Sequence, residues 1–163
     1  MAGPSNGTDK RDGGSWQERL EPEQRALVRR HLLAGWVGLL IFIGAGMALD
    51  AMHALKVDAY LDLRNSTRRL LWTLGHAHGT LFSLASIAFA WTASVVRSSG
   101  LVKNASRGTL AGLILMPLGF FLGGLDIQGG DPGLGVLLVP LGAGLMLFGT
   151  LCMVVALLRS FPS

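Results

Sequence analysis

The sequence contains a single cysteine, Cys152. With no intrachain partner it excludes disulfides, and it excludes zinc motifs built from cysteine pairs. Charge is also scarce. Only 15% of the 163 residues are Asp, Glu, Lys or Arg, against about 25% in an ordinary soluble domain. No phosphate-binding loop, dinucleotide fingerprint or nucleophile motif occurs. That argues against the common soluble enzyme classes and leaves open whether any catalysis takes place. No short apolar stretch with a small-residue cleavage site precedes the first long apolar block, so that block is expected to stay in the mature protein.

Apolar residues are what the sequence has in quantity: they make up 50% of the chain and raise the mean hydropathy to +0.48. They fall into four blocks, Leu32 to Leu49, Gly79 to Val96, Thr109 to Leu125 and Leu134 to Leu158. Each reaches the roughly 17 to 20 residues that span a bilayer core as a helix. None alternates as a barrel strand would, and backbone groups in lipid must be satisfied within the segment. The expected fold is therefore all-α: an integral membrane bundle of four antiparallel transmembrane helices, with spans at about 32–55, 70–96, 109–125 and 134–158. Residues 1–21, rich in Gly, Ser, Asn and mixed charge, are expected to form a disordered tail. The transmembrane domain is expected over 22–163. Pro22 followed by Glu23 reads as a first helical turn that runs on into the first span.

Basic residues set the expected orientation. Arg19, Arg25, Arg29, Arg30, Arg97, Lys103, Arg107 and Arg159 flank one side, and Lys56, Arg64, Arg68 and Arg69 the other. Eight against four places both termini in the cytoplasm. Trp36 and Trp91 then lie toward the inner interface, and Tyr60 and Trp72 toward the outer one. The net charge of +4 and the pI of about 10.0 are accounted for by topology and anionic headgroups. The expected partner is thus the lipid bilayer, and nucleic acid is not expected.

Glycine and proline texture the third and fourth blocks. The frame Gly-x-x-Leu-x-Pro-Leu-Gly runs from Gly112 to Gly119 and again from Gly135 to Gly142. It reads first as helix packing, with Gly119 and Gly123 forming a Gly-x-x-x-Gly step. A sharper alternative is two related helices, each opened near Pro117 or Pro140.

The polar residues carry the functional signal. In an antiparallel arrangement Asp50 and His53 close the first span, His76 and His78 open the second, and Asp126 closes the third. All five then share a layer near the outer face, while His31 lies on the other side, at the interface. Asp50 and His53 share a helix face. His76 and His78, two apart, point in nearly opposite directions. The His76 side carries Thr73, Thr80 and Ser83, so His76 is expected inward, beside Asp50 and His53. Imidazoles on facing helices suit haem. Imidazole with carboxylate suits a divalent transition metal, and the same groups relay protons. The cofactor ligands expected first are His53 and His76, with Asp50, His78 and Asp126 as further metal ligands or supporting groups. Two other readings stay open: an accessory subunit of a membrane complex or homo-oligomer without cofactor, and a small proton or solute transporter. A fourth reading treats the layer as polar helix ends that cap, pair and hydrate.

The run from Arg68 to Leu81, with Gly75-His76-Ala77-His78-Gly79-Thr80 at its centre, resembles a group of small bacterial four-helix membrane proteins with no known activity. Asp50-Ala51-Met52-His53-Ala54-Leu55-Lys56 and Gly129-Gly130-Asp131-Pro132-Gly133-Leu134-Gly135 resemble further signatures of that group. The resemblance covers roughly Arg29 to the end of the fourth block and implies the bacterial cytoplasmic (inner) membrane. A looser similarity of His76-Ala77-His78 to the His-x-His spans of haem–copper oxidase-like subunits hints at metal but carries over no ligand.

Overall fold

Pro22 and Ser99 start two of the long helices by different means. Pro22 occupies the first helical position of α1 (Pro22–Ala54), where a fixed φ helps and a missing N–H costs no bond. Ser99 caps α4 (Gly100–Leu125) by accepting from the Val102 N–H at 3.4 Å. The computed structural model describes residues 20–61 and 66–161. Of the expected tail, 1–21, only Leu20 and Glu21 fall within this range; Arg19 and Arg64 lie outside the described residues. Within it the structure is all-helical, with no strand beyond one isolated bridge between Gln128 and Asp131.

α1 closes at Leu55 and Lys56, where Lys56 takes a left-handed φ of 52°. A short α2 (Asp58–Leu61) and the long α3 (Ser66–Val95) follow. α4 ends at Asp126, and Gly129 and Gly130, both at positive φ, turn the chain. A single 3-10 turn, Leu134–Leu137, leads into α5 (Leu138–Ser160). Because the Ser99 cap sets the start of α4, Lys103 and Arg107 lie on its first turns and not in the loop where the sequence reading puts them.

Three segments are long and apolar enough to cross a membrane: α1, α4, and the 3-10 turn with α5. α3 is long but not among them. α3 packs along α1 on one side and along α4 on the other, α4 packs on α5, and α1 and α5 make no extended contact. The four long helices form a row with α3 and α4 inside it. A helix flanked on both sides can carry polar side chains that lipid would penalise, and α3 carries His76, His78, Thr80, Ser83 and Ser86.

Residue contacts along each seam run in opposite numerical order. Gly46 lies against His76, Gly38 against Ser83 and Gly35 against Ile87; between α4 and α5, Gly108 meets Gly149, Gly112 meets Met146 and Gly119 meets Val139. Glycine brings the backbones close, which matters in a setting where packing, rather than water exclusion, drives association. At Gly142 a Cβ would stand 2.5 Å from the Met116 nitrogen. The repeated glycine–proline frame therefore forms one internal seam, with its two copies facing each other. α4 runs continuously through buried Pro117, and Pro140 falls in the first turn of α5. Neither proline opens a helix.

At the end of the row where α3 finishes, Val28, Phe89, Ala93, Val102, Ala105 and Met153 form part of one buried cluster that draws on all four long helices. Gln24 caps that end of α3, its Nε2 donating to the Ala93 and Val96 carbonyls at 2.7 and 3.1 Å. Lys103 and Glu23 pair at 2.6 Å on the surface beside it, a contact worth about 0–1 kcal/mol.

Candidate functional site

The expected layer divides by height. His76 lies against Gly46 on α1. Asp50 is four residues further along α1 and His53 seven. At 1.5 Å per residue these stand about 6 and 10 Å further out. Both are exposed on the last turns of α1. Asp126 caps α4 two residues beyond Gly124, which faces Trp72, one turn before His76 on α3. Its carboxylate accepts from Gln128 Nε2 at 3.4 and 3.5 Å. Asp50, His53 and Asp126 thus belong to the end of the row, and His76 and His78 lie deeper. Among the described residues no three His, Cys, Asp or Glu side chains are grouped to hold a metal ion.

His76 and His78 take opposite sides of α3, as their spacing implies. His76 Nδ1 donates to the Phe42 carbonyl of α1 at 2.7 Å. The ring fills the space over Gly46, where a Cβ would come within 2.5 Å of Cε1. His78 Nδ1 donates to the Leu74 carbonyl of its own helix at 2.9 Å. Its ring lies 5.1 Å from Phe120 on α4 and edge-on to Phe82 at 6.0 Å. The expected inward turn of His76 is therefore a turn toward α1 and its backbone, without Asp50 or His53 at the same level. In both rings Nδ1 is tied, which leaves Nε2 as the nitrogen with ligand character.

Among the described residues the largest fully buried side chain is one the sequence reading puts at an interface. His31 is fully buried, at 0% exposure, and joins three helices. The Ser86 hydroxyl of α3 donates to the His31 carbonyl at 3.1 Å. Its single hydrogen being used there, Ser86 Oγ accepts from His31 Nδ1–H at 3.0 Å. That leaves Nε2 to accept from the Ser106 hydroxyl of α4 at 2.8 Å. The imidazole is then neutral with its proton on Nδ1, and it stacks on Phe89 with centroids 3.9 Å apart and planes at 21°. Among the described residues no buried side-chain nitrogen or oxygen lacks a partner, as expected of a polar group in a dry interior. The signal in the sequence was thin. Ser83 and Ser86 share one face of α3, but Ser106 reads as loop until Ser99 is recognised as the start of α4.

Two hollows open at the other end of the row. One of about 420 Å³ is lined by Tyr60, Ser66, Thr67, Arg69, Leu70 and Thr73. An apolar one of about 230 Å³ lies between α1 and α4 over Trp72. Trp72 Nε1 donates to the Phe121 carbonyl at 3.1 Å, and Arg68 Nε to the Gly124 carbonyl at 3.0 Å, so α3 is bound to α4 here as it is to α1 at His76.

In comparisons with known proteins, no protein-family model, no curated protein and no solved structure matches this chain.

Proposed function

We propose that the chain crosses the cytoplasmic membrane of a bacterium four times, as antiparallel α1, α3, α4 and α5 with both termini inside, and serves as a small accessory subunit of a membrane complex. The observation that supports this reading most is how the polar residues of α3 are used. His76, Ser86, Trp72 and Arg68 each engage a neighbouring helix. Such use turns α3 into a pinned inner helix and leaves the apolar outer faces of α1 and α5 for contact. Trp36, Leu40 and Met47 are exposed on α1, and Leu147, Leu151 and Leu158 on α5. The glycine seam of α4 and α5 is taken up internally, so a partner would meet these outer faces. Falling residue numbers across each seam support the antiparallel order, and the basic-residue count supports the orientation.

A second reading has its own support. The Phe42 carbonyl holds His76 Nδ1–H, the arrangement by which a backbone acceptor orients an imidazole whose Nε2 binds a metal or haem iron. His53, Asp50, His78 or Asp126 would have to shift in height, or a partner would have to supply the remaining ligands.

Detergent-purified protein and a His53→Ala, His76→Ala variant separate the two. The accessory reading expects neither a Soret band nor stoichiometric metal in either protein. It also expects photo-crosslinkers at Leu40 and Leu147 to capture one defined membrane partner, and crosslinks to lipid alone would contradict it. Stoichiometric haem or metal that disappears in the variant would establish the second reading.

A further inference from the structure

The apolar hollow between α1 and α4 is shaped for one kind of occupant. Ala45, Ala48 and Met52 of α1, Trp72 of α3, and Phe121 and Leu125 of α4 line it. Two small side chains on one face of α1 give it depth. The only polar atom of Trp72, Nε1, is engaged by the Phe121 carbonyl. A volume of about 230 Å³ falls below the roughly 300–1,000 Å³ of sites for drug-sized ligands. It is also too small for a helix about 10 Å across. An extended alkyl chain fits such a space.

A cation stands at its edge. The Arg68 guanidinium lies 5.9 Å from the centroid of the Trp72 ring. Its Nε and Nη1 donate to the neutral carbonyls of Gly124 and Ala59, each at 3.0 Å. Among the described residues the one ion pair is that of Lys103 with Glu23, at the far end of the row. Arg68, which is in no ion pair among the described residues, brings a positive charge and spare donors to the place where an acyl chain would leave the groove. Guanidinium forks match phosphate, and basic groups beside a span attract anionic headgroups.

We propose that this groove binds one acyl chain of an anionic phospholipid whose phosphate is held by Arg68. The inference rests on the membrane-spanning reading and adds a specific lipid site to it.

Native mass spectrometry of the detergent-solubilised full chain tests it, with phosphatidylglycerol and phosphatidylcholine of identical acyl chains as probes. Wild type is expected to retain one phosphatidylglycerol in preference to phosphatidylcholine by about fivefold, the contribution of one cation near an anionic headgroup. Arg68→Gln is expected to abolish the preference and Arg68→Lys to keep most of it. Ala48→Trp, from an exposed position, is expected to fill the groove and reduce retention of both lipids, with Ala45→Phe as a second variant should the first melt early. Equal retention of the two lipids by wild type, meaning annular lipid only, would overturn the proposal. So would undiminished phosphatidylglycerol retention in a groove-filled variant of unchanged melting temperature. Alkaline carbonate extraction of membranes keeps the two claims apart. Release of the chain defeats the four-span reading, whereas a chain that stays embedded yet shows no lipid preference defeats only the lipid site.

Discussion

His76 of α3 donates from Nδ1 to the Phe42 carbonyl of α1 at 2.7 Å, and the ring lies in a space that exists because residue 46 is glycine. The same few atoms supply a hydrogen bond, a close helix approach and the burial of an imidazole. Each of the three depends on the other two.

Gly46→Leu should therefore displace the His76 ring and break the bond to Phe42. The expected loss is about 1–3 kcal/mol, the usual range for overpacking, read as a lower melting temperature in detergent. In a His76→Ala background the same substitution should cost much less, since the space is then free. A double-mutant cycle measures that coupling, and strict additivity would count against the contact.

Removing His31 should be more damaging. His31→Ala leaves a cavity against Phe89 and takes the shared partner from Ser86 and Ser106. About 2–4 kcal/mol of destabilisation is expected from lost packing together with a Ser106 hydroxyl left without its acceptor. His31→Gln, which keeps a donor and an acceptor, should recover part of it. Thermal unfolding of the three proteins side by side makes the comparison.

The seam between α4 and α5 offers an internal control. A side chain at Gly142 meets the backbone of Met116, whereas one at Gly144 has nothing within 4 Å. Gly142→Leu should lower yield and melting temperature sharply, and Gly144→Leu should stay within about 0.5 kcal/mol of wild type. Equal effects at both positions would mean that the seam is misplaced.

These residues also mark how far the sequence could be read. α1, α4 and α5 announce themselves as segments long and apolar enough to cross a membrane. α3 is less legible because polar side chains such as His76 and Ser86, which bind its neighbours, interrupt its apolar run. Gly119, Gly123 and Gly142 were readable as packing residues, but glycine does not say which helix it admits, so their pairing within one seam had to come from the structure.

The polar layer shows a limit of another kind. Ordering residues by helix ends groups Asp50, His53, His76, His78 and Asp126 in one layer, whereas the structure sets Asp50, His53 and Asp126 at the end of the row and the two α3 histidines deeper. Such ordering does not resolve offsets of one or two helical turns, and about 6–10 Å decides whether side chains share an ion. His31 was hidden differently. Its partner Ser106 sits six residues inside a helix whose start depends on a single capping serine, Ser99.

All of this assumes that the row of helices stands across a bilayer, and cysteine accessibility tests that most directly. In a Cys152→Ala background, single cysteines at Lys56 and Lys103 are probed in intact cells with a membrane-impermeant maleimide. The account predicts that position 56 is labelled from outside and position 103 only after permeabilisation. Labelling of both positions in intact cells would contradict the four-span arrangement, and labelling of position 103 alone would contradict the orientation.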